Sequence, residues 1–300
     1  MRVIVGRVLL GLGAFLLVAG ILGVAWAPGA VKKTPVEVDQ KTDLTGTAQR
    51  LNTSTGETRE LEVKYTSITK SDTEASDDDT VYFKQATCLV EVDGETPDCV
   101  EDDDPRLLSA GEETFSTDRT TALAVDGSKL PDDVDPYEGL VNKWPFDAEE
   151  KDYEVYDNVI DEPVTASFEG TEEINGLDVN IYVTETQEAP IDLGSDIDGL
   201  YSDRKEYAVD PVTGAIIRQV VDQQRYLADG TLVLDVQMQY TDEEVDDNVI
   251  DAKDNIASVE LLTKTVPLVG FIGGALCLLA GVALVLTGRR TRTTKAAHSS

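Results

Sequence analysis

The sequence predicts a mainly β domain, antiparallel and built in two β-rich halves, between an N-terminal and a C-terminal transmembrane helix, with an amphipathic helix before the second span. Three observations predict it. Long uncharged apolar runs occupy both ends of the chain. The middle carries all 58 acidic residues, which set a net charge of −33. Within that middle, apolar and polar residues alternate with period two between tight turns, the pattern of sheets with one buried face.

The first apolar run covers residues 8–27, rich in Leu, Gly, Ala and Val. At ~1.5 Å per residue it reaches about 30 Å, the hydrocarbon thickness of a bilayer. Residues 266–287 form a second such run. Ala25-Trp26-Ala27 fits the small-x-small pattern of a signal-peptide cleavage site. The run is longer than a usual signal core, however, and Pro28 would follow the cut, so an uncleaved anchor is expected. Arg2 and Arg7 precede the first span, and Arg289, Arg290, Arg292 and Lys295 follow the second. By the positive-inside rule both termini, 1–7 and 288–300, are cytoplasmic, and residues 28–265 lie outside a two-pass protein of the cell membrane. The lipid bilayer is then the first partner. Gly270 with Gly274, and Ala19 with Gly23, offer small-residue faces through which the spans can pack.

Cys88 and Cys99 are the only cysteines between the spans, and they flank "LVEVDGETPD". Asp93-Gly94 is a type I′ hairpin signal midway between them, which places the two thiols opposite each other for a disulfide. Strands are expected near 57–69, 80–92 and 115–125. Leu177, Val179, Ile181 and Val183 alternate with polar residues after the Asn175-Gly176 turn, with the run around Phe168 as their partner strand. "YAVDPVTGAIIRQV" turns at 210–214, and "RYLADGTLVLDVQMQY" turns at Asp229-Gly230. Beyond that turn Leu232, Leu234, Val236, Met238 and Tyr240 share one face. Thr241 and Glu244 form a capping box, and Val245, Val249, Ala252, Ile256 and Val259 then recur at helical spacing toward the second span.

The composition narrows function. So acidic a surface repels nucleic acid and anionic lipid head groups. Runs such as Asp77-Asp78-Asp79 and 101–104 read as solvated loops, with loose divalent-cation binding as the sharper view. The fragment Asp196-Ile197-Asp198-Gly199 lacks the remaining ligands of a calcium loop. The lone histidine, His298, sits in the tail, which excludes His-based triads between the spans. No nucleophile elbow, Walker sequence or zinc motif occurs. No catalytic residue, cofactor or metal ligand is expected.

"GLVNKWPFDAEEKDYEVYD" concentrates Trp144, Phe146, Tyr153 and Tyr156 in a chain with few aromatics. Pro145 fixes a turn between two large rings, so these residues read as a structural link between the β halves. "EGLVNKWPFDAEEKDYEVYD", "YAVDPVTGAIIRQ" and "DAKDNI" ahead of a terminal span resemble an actinobacterial family of cell-envelope membrane proteins labelled PorA-like porins. The resemblance covers nearly the whole chain and implies no catalytic residues. It implies a channel, whereas the residues argue for a domain in water. In "AIIRQVVDQQRYL", Arg218 and Asp222 lie on one strand face and Gln219, Gln223 and Arg225 on the other. An Arg facing lipid near the midplane costs ~2–4 kcal/mol. The leading expectation is therefore a non-enzymatic, doubly anchored protein that binds or organises an envelope lipid or protein partner. A porin or channel is the second reading. A lipid or hydrophobe carrier is the third, by analogy with other β domains hung between two terminal helices.

Overall fold

The computed structural model describes residues 2–52, 55–94, 96–125, 137–194 and 197–296, with side chains to 287. Asp196 of the calcium-like fragment and His298 lie outside the described residues. The chain divides into a helical unit, residues 2–33 and 254–296, and a β unit, residues 34–253.

In the helical unit, α1 (Arg2–Ala25) and the short α2 (Ala27–Val31) precede the β unit. A π-helical turn (Leu261–Thr265) and α4 (Val266–Ala296) follow it. The π turn comes just before Pro267, whose ring removes one amide from the helical ladder and shifts its register. Both long helices are apolar and long enough to cross a membrane. They pack through glycines. A Cβ on Gly13 would meet Gly274 O at 2.9 Å, one on Gly6 would meet Gly281 O at 2.9 Å, and one on Gly270 would meet the Gly20 Cα at 2.7 Å. Gly270 and Gly274 thus serve the contact as expected. On α1 the seam is Gly6, Gly13, Gly20 and Gly23 rather than Ala19 with Gly23.

Among the described residues the β unit contains ten strands. They are β1 (Asp39–Asn52), β2 (Glu57–Ser71), β3 (Thr80–Glu91), β4 (Leu107–Asp118), β5 (Tyr153–Asp157), β6 (Glu162–Ile174), β7 (Leu177–Asp192), β8 (Asp198–Val209), β9 (Ile216–Leu227) and β10 (Leu232–Tyr240). The two expected halves are the meanders β1–β4 and β5–β10. They merge into one antiparallel sheet, because β1 pairs with β10 to give the order β4-β3-β2-β1-β10-β9-β8-β7-β6-β5. The strand expected at 115–125 is displaced: β4 ends at Asp118, and the chain then turns back so that Ala124 bridges Thr117.

That turn-back joins the two edges of the sheet. Leu123 bridges Leu140, and Leu140 bridges Val155 of β5. Backbone hydrogen bonds carry the seam: Ala124 N donates to Gly139 O (2.8 Å), Leu140 N to Glu154 O (2.8 Å) and Tyr156 N to Leu140 O (2.8 Å). Gly139 has φ +79°, and a Cβ there would lie 2.6 Å from Glu154 O, so only glycine fits the seam. The sheet thereby curls round on itself, leaving few bare edges.

The sheet has two different faces. By register, Tyr65, Val63 and Leu61 of β2, Ala48 and Leu44 of β1, Val236 and Met238 of β10, Val221 of β9 and Tyr182 of β7 share the inner face. Most are buried in apolar clusters. The outer face carries ion pairs. Arg218 meets Glu172 (2.9 Å) and Glu206 (3.2 Å), and Lys41 and Lys64 meet Asp43 (3.2 and 3.3 Å).

The helix α3 (Asp242–Glu260) begins as the capping sequence predicts, with Glu244 N donating to Thr241 Oγ1 (3.1 Å). The Glu244 carboxylate instead accepts from Asp43 N of β1 (3.3 Å). Asn175 Nδ2 donates to Asp246 (2.7 Å), Lys253 to Asn175 O (2.7 Å) and Asn248 to Ile217 O (3.3 Å), so the first part of α3 is tied to the sheet.

Candidate functional site

The segment 142–148 lies across the turn that follows β8. Asp210, fully buried, makes that turn by accepting from Val212 N (2.9 Å), Thr213 N (3.0 Å) and the Thr213 hydroxyl. Its exposed backbone edge then receives the aromatic segment. Trp144 N donates to Gly214 O (2.8 Å), Ala148 N to Pro211 O (2.8 Å) and Asp147 N to Val212 O (3.2 Å). Gly214, at φ +76°, has Trp144 O only 2.0 Å from where a Cβ would stand. Two stretches remote in sequence are thus one structural unit.

Trp144 is 1% exposed. Its ring lies 5.1 Å from Tyr182 and 5.0 Å from Tyr207, and Tyr153 meets Tyr182 edge-on at 5.7 Å. Tyr182 donates its hydroxyl proton to Glu149 O (2.7 Å), and Tyr153 Oη accepts from Glu149 N (2.9 Å). Trp144 and Tyr153 therefore belong to one core with β7 and β8 of the second half. Phe146 does not join it. It is half-buried, with the Lys143 ammonium 3.8 Å from its ring centre. Burial pushes the Lys143 pKa down to about 8, against a smaller opposing pull from Asp210. Tyr156 serves the seam instead: it stacks on Tyr137 at 3.9 Å, which stacks on Phe115 at 5.9 Å. Through Phe115 and Tyr137 this fourth aromatic reaches β4 of the first half, and Ala122, just past β4, packs into the core of Trp144.

A charged cluster on the inner face was not foreseen. Tyr201, Asp203 and Lys205 alternate along β8 and point to the same side as Asp157 at the end of β5. Lys205 Nζ sits 3.0 Å from Asp157 Oδ2 and 3.1 Å from Asp203 Oδ2, and the Tyr201 hydroxyl donates to Asp157 (3.1 Å). Asp157 and Asp203 are 3% and 4% exposed. Both Asp203 oxygens lack a well-directed hydrogen bond, as do the buried Thr184 Oγ1 and Arg225 Nε nearby on the same face. Burial raises the Asp203 pKa despite the adjacent ammonium. Burial also works against the Lys205 charge, but Tyr207, Asp203, Tyr201 and Asp157 hold its pKa well above the ordinary value. A lysine kept protonated is a poor nucleophile. The cluster's sequence signal was "YSDRKEY", polar residues at period two in a buried strand, and it is hard to tell from a solvated face.

The disulfide between Cys88 and Cys99 forms, with a Cα–Cα distance of 5.6 Å. The hairpin proposed to bring it about does not. β3 pairs with β4 from Leu107 onward, so Cys88 faces Ala110 and Cys99 lies in the long connection between the strands. That connection folds back over the outer face. Val92 N donates to Glu62 O (2.8 Å), and Asp98 reaches Lys41 (2.6 Å) and Lys64 (2.9 Å). At the expected turn Gly94 has φ +71° but Asp93 lacks the positive φ of a type I′ turn, and the chain bends there into the connection instead of pairing directly. Pro97, lacking an amide to give a ladder, is consistent with that outcome.

Comparison with known proteins adds one finding. No curated protein matches the chain. The family model described as Porin PorA matches residues 5–283, a span that takes in the whole β unit and most of both apolar helices. With nearly its full length matched, the chain belongs to the Porin PorA family.

Proposed function

We propose that the chain is a non-enzymatic membrane protein, anchored twice, whose acidic β unit lies on the outer side of the cell membrane and binds or organises envelope components. The observation that carries this reading is the polarity of the curled sheet. A barrel that crosses a bilayer turns an apolar band outward. Here the outer face holds the Arg218–Glu172–Glu206 and Lys41–Lys64–Asp43–Asp98 ion pairs, and the apolar clusters face inward. Such a wall belongs in water. The Cys88–Cys99 bond supports an oxidising side of the membrane.

The family description favours a second reading, a channel. Given the charged outer wall, its conducting path would be assembled from helices of several copies rather than from the sheet. Reconstitution of the full chain in planar bilayers separates the two. The anchored-binder reading expects the bilayer's background conductance. Discrete openings that scale with protein added would overturn it.

A further inference from the structure

An open cleft of about 550 Å³ lies beside the seam. Its lining includes the apolar residues Leu123, Pro145, Phe146 and Tyr153 together with the acids Asp147, Glu149, Asp152 and Glu154. Leu123 is 46% exposed, so its side chain is turned toward solvent, unlike the inward-facing residues of the sheet. The ammonium of the lining, Lys151, is engaged by the Glu149 carboxylate and lies 5.3 Å from the Tyr153 ring centre, and Lys143 covers Phe146 at 3.8 Å, so four carboxylates stand against two lysines here. Apolar surface ringed by carboxylates selects its occupant by charge. A second copy of this chain brings the same acidic domain and is repelled, as are anionic lipid and nucleic acid.

We propose that this cleft docks a cationic segment of a partner protein, one apolar side chain resting on Leu123 and Pro145 while flanking Lys or Arg residues face Asp152 and Glu154. The proposal rests on the reading of the β unit as a binding domain and names a class of partner for it. The apolar contact supplies affinity, and the carboxylates supply attraction over distance and exclude the wrong partners.

The test uses full-length protein in neutral detergent and a fluorescein-labelled, amidated peptide, Lys-Lys-Phe-Lys-Lys, followed by anisotropy. Its counterpart carries glycine in place of phenylalanine. Burying one phenyl ring should make the first peptide bind about tenfold more tightly than the second. Leu123→Ser should erase that difference. Glu154→Lys should weaken both peptides, and Glu101→Lys, in the loop between β3 and β4, should weaken neither. Equal binding of the two peptides, or an unchanged preference in Leu123→Ser, overturns the proposal. So does an equal loss in Glu101→Lys and Glu154→Lys, which marks attraction by net charge alone. Either failure leaves the anchored-binder reading to the conductance measurement, which does not involve the cleft.

Discussion

Trp144 shows how much of this domain turns on single side chains. It is enclosed by Tyr182, Tyr207 and the 210–214 turn, so its removal opens a cavity that the turn's backbone cannot fill. Trp144→Ala should cost about 3–5 kcal/mol and lower the unfolding temperature of the full chain in detergent, measured by near-UV circular dichroism. Trp144→Phe should cost less, because it keeps the stacking and removes an indole N–H that has no protein partner. A Trp144→Ala protein that melts with the parent would contradict the structural role. Lys143, next in the chain, makes a pH prediction with a definite sign. Its folded pKa of about 8 lies below the ordinary 10.5. Between those values the unfolded chain holds a proton that the folded chain has lost, so this group makes stability rise with pH. Lys143→Met should therefore be the more stable protein below pH 8, and its advantage should shrink toward pH 10.5. Denaturant midpoints measured across that range check it, and a constant difference would contradict it.

At the scale of elements, the disulfide loop and α3 illustrate two ways of tying a segment to the sheet. The Cys88–Cys99 bond closes a loop with a sequence separation of 11 and seats Asp98 between Lys41 and Lys64. Paired replacement of both cysteines by serine should cost about 2–3 kcal/mol. It should also speed hydrogen exchange at Val92, whose amide bonds to Glu62. Unchanged exchange there would mean the loop holds without its staple. The cysteine pair was legible in the sequence because redox compartment and spacing limit the choices. The path of the loop was not, since a type I′ signal describes four residues and says nothing of where the next strand finds its register. β1 was missed for a related reason. "DQKTDLTGTAQRLN" has few apolar residues, and it is a strand because β2 and β10 supply partners on both sides. α3 was readable, since both its cap and its apolar spacing are local. The exchange of the Glu244 carboxylate from its own helix to Asp43 was not.

For the whole molecule the strongest prediction is topological. Basic residues flank the two spans on their outer sides, and every acid lies between them. A reporter active only after export should be silent when fused after Ser300 and active when inserted within residues 73–79, a turn region between β2 and β3. Activity at Ser300 would overturn a two-pass arrangement with both ends inside. The glycine seam between α1 and α4 fits two antiparallel spans. Its signal was present as Gly6, Gly13 and Gly20, seven residues apart, a spacing that keeps one helix face aligned along its length.

What the sequence by itself determined is what depends on local periodicity and on charge along the chain. Two helices apolar and long enough to cross a membrane, most of the strands from Glu57 onward and the helix after Tyr240 all follow from local spacing. What only the tertiary structure decided depends on which distant edges meet. The pairing of β1 with β10 makes one sheet of two halves, and Leu123, Leu140 and Val155 join its far edges. Only that curl distinguishes an inner face from an outer one, and so tells the Asp157–Asp203–Lys205 cluster from the solvated ion pairs of Arg218. In a strand, charged residues at period two look the same on either face. Their meaning comes from whether the sheet's curl puts water or protein in front of them.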